Sequence, residues 1–362
     1  MLRYIGAAKV LKKDGNAQVD NGVFHLHYRV TVIIFFIASQ LVTAKEFFGK
    51  PIQCMSKTIP SGILNNYCYI MSTFSIPRQL NKGDAAAYAG LGTHIDDEEL
   101  TYHAYYQWVP FMLFFQAITF FLPRYLWKLW DGGVFDTVLG GLHKFLPQHG
   151  MRIKKHKMLA QYLSKSLHLH KLWTIKFFIC EVLCLVISVG NMYFTDVFLG
   201  GTFLNYGLDV MSFPEADPET RVDPMIRIFP KVSKCTFRKY GPSGSQENHD
   251  VMCILSINII NEKIYILLWF WLVFLTITTG FWLMYRLAVI FSMRLRKELL
   301  YRRGRMAGTK NLDIVIRRCH LGDWFLVYQL GCYMEPMVFA EFIEEFAKEL
   351  EKGLETLERK PN

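Results

Sequence analysis

The sequence predicts an all-α membrane protein, namely a four-transmembrane-helix subunit with cytoplasmic N and C termini, a disulfide-stapled extracellular cap of small α/β type and a helical cytoplasmic domain. Three observations predict this fold class. The apolar residues, 52% of the 362 residues, gather into four long runs, which is typical of membrane proteins. Basic residues concentrate in alternate segments between these runs. Four of the eight cysteines lie in the segments that carry fewer basic residues.

The second apolar run has the clearest signature of a membrane-spanning helix. Its centre, 109–122, is interrupted only by Pro110, Gln116 and Thr119, and aromatic residues flank it on both sides. Such residues anchor a helix at the two membrane–water interfaces, and about 20 residues rising 1.5 Å each cross the roughly 30 Å hydrocarbon core. The four runs divide the chain as follows: N-terminal pore segment 1–23, span 24–47, extracellular loop 48–107, span 108–130, cytoplasmic loop 131–175, span 176–198, extracellular loop 199–263, span 264–285 and cytoplasmic region 286–362.

The distribution of charge predicts the orientation of the spans. The segments 1–29, 124–176 and 286–362 hold 29 Lys and Arg against 15 Asp and Glu, whereas the segments 45–107 and 196–263 hold 12 against 15. Because Lys and Arg are retained on the cytoplasmic side, both termini and the middle loop are expected inside the cell. This bias accounts for the net charge of +10 without a nucleic-acid partner. The first residues lack the apolar core of a cleavable signal peptide, so we expect the first span to act as the signal.

Polar residues interrupt two of the predicted spans. The first span contains His25, His27 and Gln40, and a polar side chain at membrane depth is costly unless it faces protein or water. We therefore expect one face of this span to be hidden in protein or to line water. The third span contains Glu181, for which we expect a structural ion pair, with Lys176 near the cytoplasmic edge as the candidate partner.

The cysteines of the two extracellular loops are expected to form disulfides. Cys54 and Cys68 lie in the first loop and Cys235 and Cys253 in the second, in a compartment where disulfides persist. Four cysteines allow three pairings, and the spacing leaves all three open. A zinc site is the alternative, but 13 and 17 intervening residues differ from the short spacings of zinc ligands. We therefore expect no metal. The loops also lack Asn-x-Ser/Thr, which favours a cap that docks on another surface.

Other patterns argue against enzymatic activity. The sequence has no Walker-type loop, catalytic-triad spacing or hydrolase motif, so we expect neither catalysis nor a cofactor. The histidine pairs at 25–27 and 168–170 are too few for a membrane di-iron enzyme, and we expect interfacial packing or a proton-sensitive contact. The C-terminal region predicts an amphipathic helix, with Glu344 and Lys348 four positions apart. Its periodic apolar residues are Phe342, Phe346, Leu350, Leu354 and Leu357.

A set of motifs runs along most of the chain. It includes Tyr105-Tyr106-Gln107-Trp108-Val109 at the second span, Gly49-Lys50-Pro51-Ile52-Gln53-Cys54 and Lys234-Cys235-Thr236-Phe237 in the loops, and Gly322-Asp323-Trp324-Phe325 near the C terminus. In these motifs the chain resembles the innexin family of invertebrate gap-junction proteins, which is related to the pannexins. Two small departures are Tyr69, where Trp is usual, and Asp131, where Glu is usual.

The resemblance implies a large-pore channel in gap junctions of the plasma membrane. Its subunits would form a ring, which in this family has eight members, and two rings from adjacent cells would dock through the outer loops. The resemblance also implies the nested disulfides Cys54–Cys253 and Cys68–Cys235. Other innexins and membrane lipids are the further partners it implies.

We expect the channel to conduct ions and small metabolites passively, because a water-filled pore avoids the cost of moving charge through the bilayer. The predicted pore-lining residues are Leu2 and Arg3 in the N-terminal segment and Lys45 and Glu46 at the start of the first loop. Two alternatives are an undocked, pannexin-like hemichannel and a non-conducting four-span adhesion or scaffold protein.

Overall fold

The structure is a computed structural model. It describes residues 19–80, 90–92, 100–139, 149–215 and 223–358, and the side chains of all of these except 80, 149–152, 215 and 353–358. The predicted pore-lining residues Leu2 and Arg3 lie outside the described residues.

Within the described residues, four helices are long and apolar enough to cross a membrane, which confirms the predicted four-span fold. They are the first span Gly22–Phe48, the second span Val109–Asp131, the third span Lys171–Phe198 and the fourth span Ser256–Phe291. The fourth span has 36 residues and is about 54 Å long at 1.5 Å per residue. Since the hydrocarbon core is roughly 30 Å thick, this helix extends beyond the membrane.

The first span changes its helical geometry near its N-terminal end. It begins as the α-helix Gly22–His25, continues as the π-helix Leu26–Thr31 and ends as the α-helix Val32–Phe48. Farther along, the hydroxyl of Ser39 donates to the carbonyl of Pro110 in the second span at 2.9 Å. Part of the polar face of the first span is therefore hidden in protein, as the sequence predicts.

The chain forms two compact units. One, which we call the outer-loop unit, contains Val30–Phe120 and Val186–Ile277. The other, the terminal unit, contains Met1–Arg29, Phe121–Leu185 and Thr278–Asn362. Each of the four spans contributes residues to both units.

The outer-loop unit contains one antiparallel sheet built from both outer loops. The strands are β1 Gln53–Met55, β2 Thr73–Ser75, β3 Thr101–His103, β4 Val232–Tyr240 and β5 Gln246–Ile254, and their order is β1-β5-β4-β2-β3. The second loop supplies the long β4–β5 hairpin, and strands of the first loop pair with it on both sides. The short helices of this unit are Ser61–Met71, Pro77–Leu80, Phe203–Ser212 and Pro224–Ile228. The predicted small α/β cap is thus confirmed.

The terminal unit is helical, as predicted. Besides the span ends it contains the helices Val134–Leu139, His149–Lys165, Met293–Arg303, Thr309–Arg318, Leu321–Tyr333 and Pro336–Glu358. Its centre is aromatic: the ring of Phe177 in the third span lies 4.8 Å from that of Trp127 and 5.5 Å from that of Phe325. All three side chains are buried. This burial attaches the C-terminal helices to the second and third spans.

The amphipathic C-terminal helix predicted from the sequence is Pro336–Glu358. It packs on the helices His149–Lys165 and Thr309–Arg318. The first three residues of its predicted apolar series are buried, and the side chains of the last two lie outside the described ones. Lys348 pairs with Glu345, three positions earlier, at 2.8 Å.

Candidate functional site

Two disulfide bonds join the outer loops. Cys54 in β1 is bonded to Cys253, directly opposite in β5, and Cys68 of the Ser61–Met71 helix is bonded to Cys235 in β4. The partners are 199 and 167 residues apart, so each bond connects the first loop to the second. All four cysteines are buried. This is the nested pairing that the family resemblance implies.

The two disulfides are close neighbours. The sulfur atoms of Cys54, Cys68 and Cys253 all lie within 4.8 Å of one another, a spacing at which three cysteines could hold a metal ion. Metal ligation requires thiolates, however, and these sulfur atoms are bonded to sulfur. The geometry therefore favours disulfides over the alternative of a zinc site. A thiol released from one bond would lie beside the other.

The first two residues of the Tyr105–Trp108 signature bind the start of the second span to both loops. The hydroxyl of Tyr105 donates to the carbonyl of Ile228 in the second loop at 3.0 Å. The side chain of Tyr106 is completely buried, and its ring lies 5.3 Å from that of Tyr69 in the first loop. Burial raises the pKa of Tyr106 to about 12, so its hydroxyl remains neutral.

The last two signature residues have different environments. The side-chain amide of Gln107 donates to the carbonyl of Tyr69 at 2.5 Å. Trp108 is 63% exposed and lies against Phe111, the third residue of the second span. An exposed Trp at a span end is typical of an interfacial anchor. Three of the four signature residues thus contact residues of the outer loops, and the fourth is placed to contact the membrane surface.

The end of the first span is also tied to the first loop. The hydroxyl of Tyr69 donates to Glu46 at 2.7 Å, and burial together with this hydrogen bond raises the pKa of Tyr69 well above its usual value. The backbone carbonyl of the neighbouring Lys45 accepts a hydrogen bond from the amide of Gly49 at 3.1 Å. A Cβ atom at Gly49 would lie 2.5 Å from the Lys45 carbonyl oxygen, so this helix end requires glycine. Lys45 and Glu46 are half-buried, and their role in the pore stays a prediction.

Glu181 forms a buried ion pair in the terminal unit, but not with Lys176. Its carboxylate accepts from Nε and Nη2 of Arg286, each at 2.9 Å, and from the indole nitrogen of Trp282 at 3.0 Å. The side chains of Glu181 and Arg286 are 3% and 7% exposed. The predicted partner was wrong because Lys176 is near in sequence, whereas Arg286 lies in the fourth span, where its side chain reaches the carboxylate. Aromatic rings surround the guanidinium at 5.1–5.9 Å: Phe177, Phe178, Trp282 and Phe325.

The carboxylate of Glu181 also binds Asn21, the residue that precedes the first span. The side-chain nitrogen of Asn21 donates to Glu181 at 2.6 Å, and its side-chain oxygen accepts from the amide of Phe24 at 2.7 Å. Asn21 is therefore the N-cap of the first span, and it also donates a hydrogen bond to the carboxylate of the ion pair. This contact fixes the point at which the first span begins. Sequence reasoning missed Asn21, although Asn before a helical run is an ordinary capping signal.

The two histidine pairs contribute buried contacts. In the first, Nε2 of His27 lies 2.8 Å from the hydroxyl of Thr279 in the fourth span. In the second, Asp323 accepts from Nδ1 of His170 and from the backbone amide of His168, each at 3.0 Å. Burial acts to raise the pKa of Asp323, but these hydrogen bonds outweigh it and the pKa lies below its usual value. Asp323 thus joins the cytoplasmic loop to the C-terminal helices.

The fold and the linked loops define the class of this protein: a four-span membrane protein whose two outer loops are joined by disulfides. The sequence model of the Innexin family matches residues 20–350. The chain is 43% identical to Innexin inx2 of Drosophila melanogaster over 100% of this chain and 99% of the relative. It is 45% identical to Innexin inx2 of Schistocerca americana (97% and 99% covered) and 40% identical to Innexin shaking-B of Drosophila melanogaster (97% and 95% covered).

The chain belongs to the innexin family. Innexins are channel proteins of gap junctions, so the chain is a multi-pass protein of the plasma membrane and a subunit of an oligomeric gap-junction channel.

Proposed function

We propose that eight copies of this chain form a ring around a pore for ions and small metabolites, and that two rings dock between adjacent cells. The observation that carries this proposal is the joining of both outer loops into one sheet with two buried disulfides. A cap held in this way presents a fixed surface, and a fixed surface loses little conformational entropy when it docks.

The outer surface of the cap supports docking. The Ser61–Met71 helix leaves Ile63, Ile70 and Met71 more than half exposed, and such side chains are typical of contact surfaces. The loops have no acceptor sequence for N-linked sugar, which would obstruct a close contact. We propose mixed rings with other innexins and contacts with membrane lipids as further interactions of the same assembly.

We propose that Lys45 and Glu46 line the pore. Lys45→Ser and Glu46→Ser each change the charge at the end of the first span by one unit, so they should shift cation-over-anion selectivity in opposite directions. Single-channel reversal potentials in a salt gradient measure this. Unchanged conductance and selectivity in both variants would remove these residues from the pore.

Tyr69→Phe provides a control for this test. It removes the hydrogen bond to Glu46 but leaves the charge of Glu46 in place. If the charge of Glu46 sets selectivity, the Tyr69→Phe channel should have selectivity of the same sign as the wild-type channel. Glu46→Ser should alter that selectivity. A change of equal size in Tyr69→Phe and Glu46→Ser would indicate that the position of the helix end, and not its charge, determines conduction.

Paired cells that express only this chain test the proposed function. Transfer of a small fluorescent dye between them is expected, together with junctional current. Currents at unpaired membranes without transfer, despite surface expression, would favour an undocked hemichannel. Absence of both would favour the adhesion or scaffold alternative. A projection image of the purified particle would show the number of subunits and whether one ring or two are present.

A further inference from the structure

The helix Phe203–Ser212, which follows the third span, has three distinct sides. Residues three or four positions apart share one side of an α-helix. The buried side consists of Phe203, Tyr206 and Gly207. A second side is apolar yet exposed, with Leu204, Leu208 and Met211 at 45%, 54% and 55% exposure. The third side is exposed and polar, with Asn205, Asp209 and Ser212. An exposed apolar side between a buried side and a polar side needs a partner.

The buried side lies directly against the fourth span. The indole nitrogen of Trp269 donates to the carbonyl of Leu204 at 3.0 Å. A Cβ atom on Gly207 would lie 2.1 Å from Cε3 of Trp269, so the helix backbone touches the indole ring and only glycine fits there. The hydroxyl of Tyr206 donates to the carbonyl of Glu262 at 3.3 Å. The helix therefore runs beside the part of the fourth span between Glu262 and Trp269.

These contacts set the depth of the helix in the membrane. The polar edge of the fourth span is marked by Glu262, which pairs with Lys231, and by Lys263, whose side chain is 65% exposed. Trp269 lies six positions after Lys263, so the contact with Leu204 lies up to about 9 Å below this edge at 1.5 Å per residue. Helices that lie in the membrane interface bury their apolar face about 5–10 Å into the boundary. The depth matches that class of helix.

The path of the chain agrees with this depth. The third span ends at Phe198, and Gly200 and Gly201 then adopt φ of 77° and 79°, in the left-handed region that favours glycine. The carboxylate of Asp196 in the third span accepts from the amide of Leu204 at 2.9 Å, so the new helix begins against the span that it leaves. The chain thus turns back toward the bilayer.

We propose that Phe203–Ser212 is an interfacial helix that inserts its Leu204, Leu208 and Met211 side among the acyl chains of the outer leaflet. Its polar side then faces water. The fourth span also exposes the apolar side chains of Leu267 and Phe270, within two positions of Trp269. The helix sequence has Asp209 and no basic residue, so insertion is apolar and does not require anionic lipid. The proposal does not depend on docking or conduction.

Photo-crosslinking of the full-length protein in phosphatidylcholine nanodiscs tests this inference. Benzoylphenylalanine is placed at Leu208 on the apolar side, and at the adjacent Asp209, which is also exposed, on the polar side as the matched control. After irradiation, mass spectrometry of the labelled peptide detects a phosphatidylcholine adduct. We expect the adduct at Leu208 to exceed that at Asp209 several-fold.

Three results would overturn the inference. Equal adduct yields at the two positions would show that the helix has no lipid-facing side. A crosslink from Leu208 to a second chain, seen as a dimer on a denaturing gel, would show that a neighbouring subunit covers this side. Absence of any crosslink at Leu208 would show that it faces water. Should the probe at Leu208 disturb assembly, the pair Met211 and Ser212 offers the same comparison.

Discussion

Replacing Cys54 with Ser is expected to abolish functional channels at the cell surface. The change breaks one of the two bonds between the outer loops, and loss of a native disulfide typically costs about 2–5 kcal/mol. It also frees the thiol of Cys253, whose sulfur lies within 4.8 Å of that of Cys68. A free thiol so close to a disulfide can attack it by exchange, so the Cys68–Cys235 bond is endangered as well.

The double variant Cys54→Ser with Cys253→Ser separates these two effects. It removes the same bond but leaves no thiol beside the remaining disulfide, so we expect it to keep more protein at the surface than the single variant. Surface biotinylation, non-reducing gels and current between paired cells measure the difference. Cys332→Ser, which alters a free cysteine outside the cap, should change none of these. Wild-type current in the single variant would contradict the expectation.

The sequence predicted the four spans and the presence of disulfides in the cap because the signals for both are local. A run of apolar residues with aromatic ends identifies a span from its own composition, as in the second span. The compartment of each cysteine follows from the charge of its segment. The pairing did not follow from spacing, because Cys54 and Cys253 become neighbours only when β1 pairs with β5. The family resemblance supplied it.

The sequence did not predict contacts that depend on how helices pack. Glu181 and Arg286 are 105 residues apart, and Asn21 is 160 residues from Glu181. An apolar run reports that a helix is buried or in lipid, but not which residue of another helix faces it. The Phe203–Ser212 helix was missed for a related reason, since a ten-residue amphipathic segment inside a loop resembles ordinary loop sequence.

Arg286→Met is expected to destabilise the protein strongly. The change leaves the carboxylate of Glu181 buried without its charged partner, and breaking a buried ion pair from one side costs about 3–5 kcal/mol. Glu181→Leu should be comparably harmful, because it leaves the guanidinium of Arg286 uncompensated among aromatic rings. Loss of the monodisperse peak in size-exclusion chromatography after heating in detergent measures both effects.

The double variant Glu181→Leu with Arg286→Met should recover much of this loss, because apolar groups often replace a buried pair at little cost. Recovery should be incomplete, since Trp282 and Asn21 each lose their acceptor and a hydrogen bond contributes about 0.5–1.5 kcal/mol. Lys348→Met, which removes an exposed pair in the same unit, is the control and should cost less than about 1 kcal/mol.

The double variant also distinguishes stability from positioning of the N-terminal segment. It restores charge balance at the buried site but does not restore the hydrogen bond from Asn21 to residue 181. If that bond holds the entry to the first span, the double variant should assemble yet show altered opening in single-channel records, and Asn21→Ala should reproduce the alteration with the ion pair intact. A double variant as unstable as the single ones would contradict the assignment of Glu181 and Arg286 as a mutually compensating pair. Wild-type opening in both assembled variants would show that the N-terminal segment is held by other contacts.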